Sequence, residues 1–380
     1  MSPETMTPTE RVAAAIRLEK PDRVPVVPLL TPDPAGHLAG LTMAEVSSSN
    51  QAAMNAIFQV FDEYGGWDSQ YAGPITPVQF QAAALYPMKM KIPGKDLPDD
   101  EMFQLVEEEV LMPADYIKIR EMGLDAFYYT DYIGRVTDLS PEEVQREIDA
   151  LAAVQPVFAT ESAKRGVQSL FLASMLHPFF TLSLMRSMVA FTQDLYYNPG
   201  PVEETLRHMT SEAINKQVHI TKATGINACL LTEERASGFF YPLSVFEHFW
   251  WPYTQEIVEA FWAEGIVSIL HLDQCWDKNI EYFRRLPRGS AVVGLDSLTD
   301  IFRAKEILRG HLCIYGDVPA ALLSLGKPEE VEAYCRKLID EVGGDGGFIL
   351  GSGCSVPCDV RPENFRAMLE TARNYELSRT

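Results

Sequence analysis

The sequence predicts an α/β fold, a (β/α)8 TIM barrel with an N-terminal helical extension and a capping insertion. Eight short apolar runs alternate with amphipathic stretches of helical periodicity, which is the order of elements in such a barrel. The length of 380 residues and the hydrophobic content of 47% suffice for one large core. We therefore expect a single domain that spans residues 1–380.

The N-terminal extension is predicted to be a helix that begins at Pro8. Thr7 is a suitable N-cap, and Glu10 stands three residues later, at the spacing of a capping box. The helix is expected to end near Lys20, because Pro21 disfavours helical backbone at the residue before it.

The eight apolar runs are the predicted barrel strands. They are residues 24–30, 67–73, 168–174, 227–233, 267–273, 291–296, 312–316 and 348–351. The predicted helices between them include residues 201–222, 245–264, 301–308 and 328–342. Residues 74–166 interrupt the alternation and are predicted to form an insertion over the barrel mouth. A small separate lobe is the alternative, and residues 123–132 are a candidate ninth strand.

The composition of the chain indicates which classes of binding partner and which cellular compartment to expect. A net charge of −21 argues against nucleic acid or an anionic membrane surface as the main partner. No window approaches the roughly 18 consecutive apolar residues of a membrane span. The six cysteines are scattered and no apolar signal segment stands at the N-terminus, so we expect a cytoplasmic protein. The sequence does not fix the oligomeric state, and a homodimer is compatible with it.

Residue types that can bind metals stand at the ends of two predicted strands that are far apart in the sequence. His271 and Asp273 end the fifth run, Cys275 stands two residues after it, and Cys354 follows the eighth run. The carboxyl ends of all strands share one mouth in a barrel, so an imidazole, a carboxylate and a thiol are expected to meet there. Such a set can bind zinc. Each residue type also occurs in ordinary cores, where a thiol acts as a small apolar side chain.

Further candidates end neighbouring runs. Glu233 and Glu234 follow the fourth run; in extended backbone they point opposite ways, so at most one is expected to face the mouth as an additional ligand. His177 follows the third run and is predicted to contact the substrate. Asp296 and Asp317 are candidates for orienting the ligands from behind.

The chain resembles the uroporphyrinogen decarboxylase superfamily nearly end to end. The resemblance implies a (β/α)8 barrel, in agreement with the strand count. It is carried by residues 11–25, Leu295-Asp296 with Thr299-Asp300, residues 316–319, residues 353–357 and residues 362–364.

Within that superfamily the chain is more similar to the zinc- and corrinoid-dependent methyltransferase branch than to the true decarboxylases. The decarboxylases carry Arg-Gln-Ala-Gly-Arg where residues 31–37 here read Thr-Pro-Asp-Pro-Ala-Gly-His, with no arginine to grip substrate carboxylates. The methyltransferases carry His-x-Cys after the fifth strand and a cysteine after the eighth. His271 and Cys354 match this signature, and Asp273 stands in place of its first cysteine.

The resemblance implies methyl transfer between a small-molecule donor or thiol and a corrinoid that a separate protein carries. Zinc would be held by His271, Asp273 and Cys354, with Glu233 or Glu234 as a further ligand. One alternative is a metal-free decarboxylase or lyase that acts on a small carboxylate or tetrapyrrole-like substrate, with His271 and Asp273 as its acid/base pair. Another is a non-catalytic binding protein that keeps the barrel.

Overall fold

Parallel strands in chain order form the centre of the structure, a computed structural model that describes residues 5–83 and 86–375. The strands are β1 (Lys89–Lys91), β2 (Gln104–Val106), β3 (Ala173–Leu176), β4 (Ala228–Glu233), β5 (Val267–Leu272), β6 (Ala291–Leu295), β7 (Cys313–Val318) and β8 (Phe348–Ser352). The strands from β3 to β8 pair side by side as one continuous parallel sheet, whereas β1 and β2 form a separate antiparallel pair.

Residues 24–30 and 67–71 close this sheet into a ring. Val27 N donates to Leu350 O of β8 at 2.8 Å, so residues 24–30 lie along the free edge of β8. Residues 67–71 lie next to them, and their Gln70 forms a parallel bridge with Ser169, in the stretch that leads into β3. The predicted (β/α)8 barrel is thereby confirmed. The two closing segments make fewer backbone hydrogen bonds than regular strands do.

Helices surround the ring. They are α1 (Pro8–Ile16), α2 (Pro32–Leu38), α3 (Met43–Val46), α4 (Asn50–Glu63), α5 (Pro77–Ala83), α6 (Asp115–Met122), α7 (Leu124–Phe127), α8 (Ile133–Val136), α9 (Pro141–Lys164), α10 (Pro178–Arg186), α11 (Met188–Tyr197), α12 (Pro199–Thr224), α13 (Leu243–Phe249), α14 (Trp251–Ala263), α15 (Ile301–Leu308), α16 (Ala320–Leu325), α17 (Pro328–Lys337) and α18 (Pro362–Asn374). A 3-10 helix covers Ile280–Arg285, and π-helical turns cover Tyr128–Tyr132 and Leu338–Val342. Within the described ranges, none of the helices is both long and apolar enough to cross a membrane.

Helix α1 begins as predicted but ends early. The Thr7 hydroxyl accepts from Glu10 N at 3.3 Å, and the Glu10 carboxylate accepts from Thr7 N at 2.9 Å, which completes the capping box. The helix ends at Ile16 and not near Lys20, because Leu18 adopts a left-handed φ of 65° that turns the chain.

The stretch from residue 74 to 166 contains the β1–β2 pair and the helices α5 to α9. The ninth strand proposed for residues 123–132 is wrong, since residues 124–132 are helical and Gly123, with a φ of 83°, only separates α6 from α7. Tyr128 and Tyr132 lie one turn apart, their rings stack at 5.7 Å, and the Tyr132 hydroxyl donates to Pro87 O at 2.9 Å. The aromatic run is therefore a buried helix face. That one domain spans the whole chain stays a prediction.

A buried ion cluster fastens α1 to the two closing segments. Arg11 is fully buried and donates to Asp22 and to Asp68, each at 2.6 Å. Asp68 also pairs with Arg23 at 2.7 Å and accepts from Val26 N at 2.8 Å. The cluster accounts for the charged residues near the start of the chain, because each charge is paired where water cannot solvate it.

Replacing Arg11 by alanine should lower the free energy of unfolding by roughly 3–5 kcal/mol, because Asp68 would keep a buried charge with weaker compensation. Chemical denaturation measures this loss. The control is Arg17→Ala, which breaks an ion pair with Glu19 whose side chains are 59% and 57% exposed and should cost less than about 1 kcal/mol. Equal losses in the two variants would contradict the assigned role of the cluster.

Candidate metal centre

Three side chains from two distant strand ends meet at the carboxyl end of the barrel. His271 lies in β5, Asp273 directly follows that strand, and Cys354 lies in the turn after β8. His271 Nε2 is 3.7 Å from Cys354 Sγ and 3.3 Å from Asp273 Oδ1, and Cys354 Sγ is 3.4 Å from Asp273 Oδ2. With one ligand atom taken from each residue, the three atoms lie within 4.8 Å of one another. We call these three residues the metal group.

The metal group fits zinc. A tetrahedral ion with bonds of about 2.0–2.3 Å separates its ligand atoms by about 3.3–3.8 Å, and the closest contacts in the group fall within that range. The two contacts to Asp273 use different oxygens of the carboxylate. Asp273 Oδ1 is buried, and its 3.3 Å contact with His271 Nε2 is an ion pair without hydrogen-bond geometry, so this oxygen keeps an acceptor site that a metal ion can fill. The donor set of nitrogen, oxygen and sulfur is one that zinc accepts.

The turn after β5 is held from the neighbouring turn after β6. Gln274 adopts a left-handed φ of 72°, and its N–H donates to Asp296 Oδ2 at 2.7 Å. The Thr299 hydroxyl donates to Gln274 O at 3.0 Å, and Trp276 Nε1 donates to Asp273 O at 2.7 Å. These bonds fix the backbone on both sides of the Asp273 carboxylate. Asp296 thus supports the ligand turn through the backbone.

Two glycines let β8 and its turn approach their neighbours. A Cβ at Gly353 would lie 3.0 Å from Ser297 N, so the turn that carries Cys354 packs directly on the turn after β6. A Cβ at Gly351 would overlap the ring of Tyr315. Close backbone approach at both positions requires the smallest residue.

Tyr71 lies behind His271. Its hydroxyl is 3.3 Å from His271 Nδ1, so the two ring nitrogens of His271 have separate tasks: Nδ1 contacts Tyr71, and Nε2 faces the metal group. Tyr71 is buried, and its ring packs against Tyr315 at a centroid distance of 5.0 Å. A partner on the far nitrogen orients a ligating histidine and fixes its tautomer.

The charges in the metal group depend on one another. Burial alone would lower the pKa of His271, but Tyr71, Asp273 and Cys354 around it together raise that pKa well above its ordinary value. Burial would raise the pKa of Asp273, but the charge of His271 outweighs it and the pKa is lowered. Burial raises the pKa of Cys354. In the absence of metal, the group therefore holds an imidazolium–carboxylate pair beside a neutral thiol.

The two adjacent glutamates face different surroundings, because β4 ends at Glu233 and Glu234 lies in the bend that follows. Glu233 is fully buried, accepts from Trp250 Nε1 and from Arg235 N, each at 2.8 Å, and lies outside the metal group. Burial raises its pKa to about 8. Burial and the nearby charge of Asp273 raise the pKa of Glu234 to about 7. Asp273 N donates to Glu233 O at 3.3 Å, so Glu234 follows directly on the backbone that contacts the ligand turn, although it is not among the three residues that meet.

The structure places His177 in a closed hydrogen-bond network, where it is fully buried. Its Nδ1 accepts from Phe179 N at 3.1 Å and so caps α10, and its Nε2 lies 3.1 Å from the Thr254 hydroxyl. Burial lowers its pKa to about 3. Both ring nitrogens are occupied, so this conformation offers a substrate neither of them.

The remaining candidates also lie outside the metal group. Cys275 Sγ is 3.4 Å from Asp277 Oδ2. Asp317 is buried and accepts from the Tyr334 hydroxyl of α17 at 2.8 Å, and burial raises its pKa to about 8. Asp317 therefore connects β7 to the helix layer.

Tyr71→Phe should reduce zinc affinity by about 10- to 100-fold, because His271 Nδ1 loses the partner that orients the ring. Competition with a chromogenic chelator measures the affinity. Tyr315→Phe is the matched control: it removes a buried hydroxyl that donates to Val27 O at 2.9 Å and leaves His271 untouched. Equal zinc affinities in the two variants would show that Tyr71 does not position the ligand.

Glu233→Gln should flatten the pH dependence of stability. The folded pKa of Glu233 is about 8 and its ordinary value is 4.5, so between these values the unfolded chain releases a proton that the folded chain keeps. The unfolding free energy of the parent protein therefore falls as pH rises through this window, by on the order of 1 kcal/mol per pH unit from this group. The variant should gain stability relative to the parent by that amount as pH rises, in denaturation curves at several pH values. Parallel curves would refute the assignment.

The known proteins similar to this chain include methyltransferases and decarboxylases. Methylcobamide:CoM methyltransferase MtbA of Methanosarcina mazei is 28% identical over 142 residues, which cover 37% of this chain and only 39% of MtbA. The uroporphyrinogen decarboxylase of Syntrophotalea carbinolica is 23% identical over 288 residues, 72% of this chain and 81% of that enzyme. A solved methyltransferase from Methanosarcina mazei superposes over 97% of this chain and 98% of its own with a TM-score of 0.70; at 14% identity it supports the fold alone.

The family described as Uroporphyrinogen decarboxylase (URO-D) matches residues 135–375, more than half of the chain. The matched region contains the continuous sheet from β3 to β8 and all three residues of the metal group. The relatives include methyltransferases as well as decarboxylases. The chain belongs to the uroporphyrinogen decarboxylase family.

Proposed function

We propose that this protein is a methyltransferase that moves a methyl group between a small molecule and a corrinoid carried by a separate protein, with zinc held by the metal group. The observation that carries the proposal is the meeting of His271, Asp273 and Cys354 at contact distances that fit a tetrahedral ion. The partial similarity to a methylcobamide:CoM methyltransferase supports the same class of reaction. A cytoplasmic location belongs to the proposal, and all six cysteines are free thiols, as a reducing compartment keeps them.

Each residue has a separate task in this reaction. His271 Nε2, Cys354 Sγ and the Asp273 carboxylate would hold zinc, and Tyr71 would keep the His271 ring in position from behind. A bound zinc ion would supply Lewis acidity, which favours the thiolate form of a thiol or polarises a methyl donor. Glu234, whose pKa of about 7 lies near neutrality, would accept the proton that a thiol substrate releases.

Asp273 distinguishes this metal group from one with two cysteines. A carboxylate is a harder ligand than a thiolate and gives less electron density to a soft metal site. The ion would therefore keep more positive charge and would act more strongly as a Lewis acid. We propose that this favours substrates whose leaving group needs polarisation.

A decarboxylase remains the second candidate because of one comparison: the Syntrophotalea carbinolica decarboxylase aligns over 72% of this chain. In that reaction the His271–Asp273 ion pair would act as the acid/base pair without metal. The turn after residues 24–30 still lacks arginine, so a substrate with many carboxylates finds no bidentate cation there. Release of carbon dioxide in the absence of zinc would select this candidate.

The zinc assignment predicts a single site whose affinity rises with pH. Zinc requires the thiolate of Cys354 and the neutral ring of His271, and the pKa of each is raised, so binding releases protons. Affinity should grow by roughly tenfold per pH unit for each proton released. Cys354→Ala and Asp273→Ala should lose zinc in elemental analysis, while Glu233→Gln keeps it. Full occupancy in both alanine variants, or no zinc in the parent protein, would overturn the assignment.

Methyl transfer itself is tested with zinc-loaded protein, methylcobalamin and a neutral thiol such as 2-mercaptoethanol. The methyl carbon should pass from cobalt to sulfur, with the electron pair of the cobalt–carbon bond left on cobalt as Co(I), which absorbance detects. Glu234→Gln should slow this reaction by at least about 100-fold while it retains zinc, because the proton acceptor is lost. The matched neighbour variant Glu233→Gln should keep the parent rate. Loss of rate in both variants would assign the effect to the strand and not to Glu234.

A further inference from the structure

The barrel wall is incomplete on one side. Residues 67–71 run beside the stretch that leads into β3. Along the chain, the final backbone hydrogen bond between the two segments runs from Leu170 N to Gln70 O, at 2.7 Å. Beyond it, within the part of the chain that the structure describes, no backbone hydrogen bond joins β3 to the residues after Gln70. Strand β3 pairs with β4 along one edge only. Its other edge is available to a ligand.

A cavity of about 290 Å³ lies at this edge. It contacts Ile75 on the far side of the gap and the consecutive β3 residues Ser174, Met175 and Leu176. Successive strand residues point to opposite faces, so a cavity that touches all three extends around the edge of the strand. Ser174 is exposed, although its register neighbour Leu230 packs against the core inside the barrel.

The inner end of this cavity lies at the level of the metal group. Leu176 is in register with Thr232, and Thr232 is in register with His271. Two strand spacings of about 4.8 Å separate Leu176 from His271, which is about 10 Å across the sheet. A molecule in the cavity would thus lie one small-molecule length from the metal group.

The lining describes the kind of molecule that fits. Most of the wall is apolar, with Leu151 and Met209 among its residues. Gln217 lines the cavity from α12, is only 7% exposed, and its Oε1 lacks a hydrogen-bond partner among the described residues. An unpartnered buried acceptor favours a ligand that brings a donor.

Charge around the cavity is net acidic. Asp125 and Glu212 line it together with one lysine, Lys216, which forms an ion pair with Asp125. Glu212 accepts from Leu124 N at 2.9 Å. A carboxylate ligand would meet this excess negative charge, whereas a neutral or cationic donor would not.

We propose that this cavity binds a small, largely apolar molecule that carries a hydroxyl or amino group, and that it is a lateral entrance to the metal group for the small reaction partner. The entrance role rests on the proposed function. A corrinoid carried by a partner protein would cover the barrel mouth, so the small molecule would need a separate route to the metal group. The volume suffices, because a cavity of about 150 Å³ already holds benzene.

Calorimetry on the purified full chain tests the binding site with phenol, aniline and benzoate as probes. Phenol and aniline should bind, and benzoate should bind at least tenfold more weakly. Ala213→Phe, which fills the cavity from α12, should abolish binding, and Gln217→Leu should weaken it about tenfold by removing the acceptor. The leucine variant keeps nearly the same side-chain volume, so it tests the binding site if the phenylalanine variant does not fold. Absent binding, equal binding of benzoate, or unchanged binding in the folded variants would overturn the site.

The entrance role has its own measurement in the methyl-transfer assay. Ala213→Phe, or Gln217→Leu if that variant does not fold, should raise KM for the small reaction partner at least several-fold, with zinc content and kcat at saturation unchanged. An unchanged KM would overturn the entrance role. If the protein transfers no methyl group, the proposed function fails and the entrance role with it, and calorimetry still decides the binding site.

Discussion

The backbone hydrogen bonds between residues 24–30 and β8 determine where the metal group can form. Val27 N donates to Leu350 O at 2.8 Å, and Leu350 N donates to Pro25 O at 2.9 Å. They fix the last strand on the first segment and so close the ring. Closure makes the turn after β8 end at the same mouth as the turn after β5. Cys354 and His271, 83 residues apart in sequence, meet for this reason.

The space behind His271 depends on small residues in neighbouring strands. In register with His271 lies Gly294, where a Cβ would be 2.8 Å from Leu270 O. Gly351 leaves room for the ring of Tyr315, and that ring packs against Tyr71. Tyr71 in turn contacts His271 Nδ1. A line of contacts thus connects a glycine in β8 to the orientation of a metal ligand in β5.

The sequence was sufficient to predict features that depend on local pattern or on strand ends. The capping box of α1 follows from Thr7 and Glu10, and the meeting of His271 with Cys354 follows from two strands that end at one mouth. Tyr71 was not predicted to support His271, because an aromatic residue at a strand end is typical of a core and its partner lies 200 residues away.

Other features could not be predicted because the local sequence is compatible with two different structures. Both faces of β4 are apolar, so alternation could not tell which of Glu233 and Glu234 faces the mouth; tertiary packing against Trp250 decides it. The run at residues 123–132 has the aromatic composition of a strand and forms helix, because its tyrosines find buried carbonyl partners one turn apart. His177 followed a strand as a substrate ligand would, yet its bond to Phe179 N is that of a helix cap.

The continuous sheet from β3 to β8 bears on how the protein acquires a metal. All three residues of the metal group lie on this sheet or directly after its strands, whereas the segments 24–30 and 67–71 join it through few backbone bonds. Local opening of those segments would leave the strands that carry the three ligands paired with one another, although the open ring would no longer hold the turns after β5 and β8 together. The binding energy of the ion is then not consumed in folding the protein, in contrast to small domains that assemble around zinc. Among the residues around the metal group, only Tyr71 belongs to the segment 67–71. Detachment of that segment would remove the contact that orients His271, and the ion would then exchange more easily.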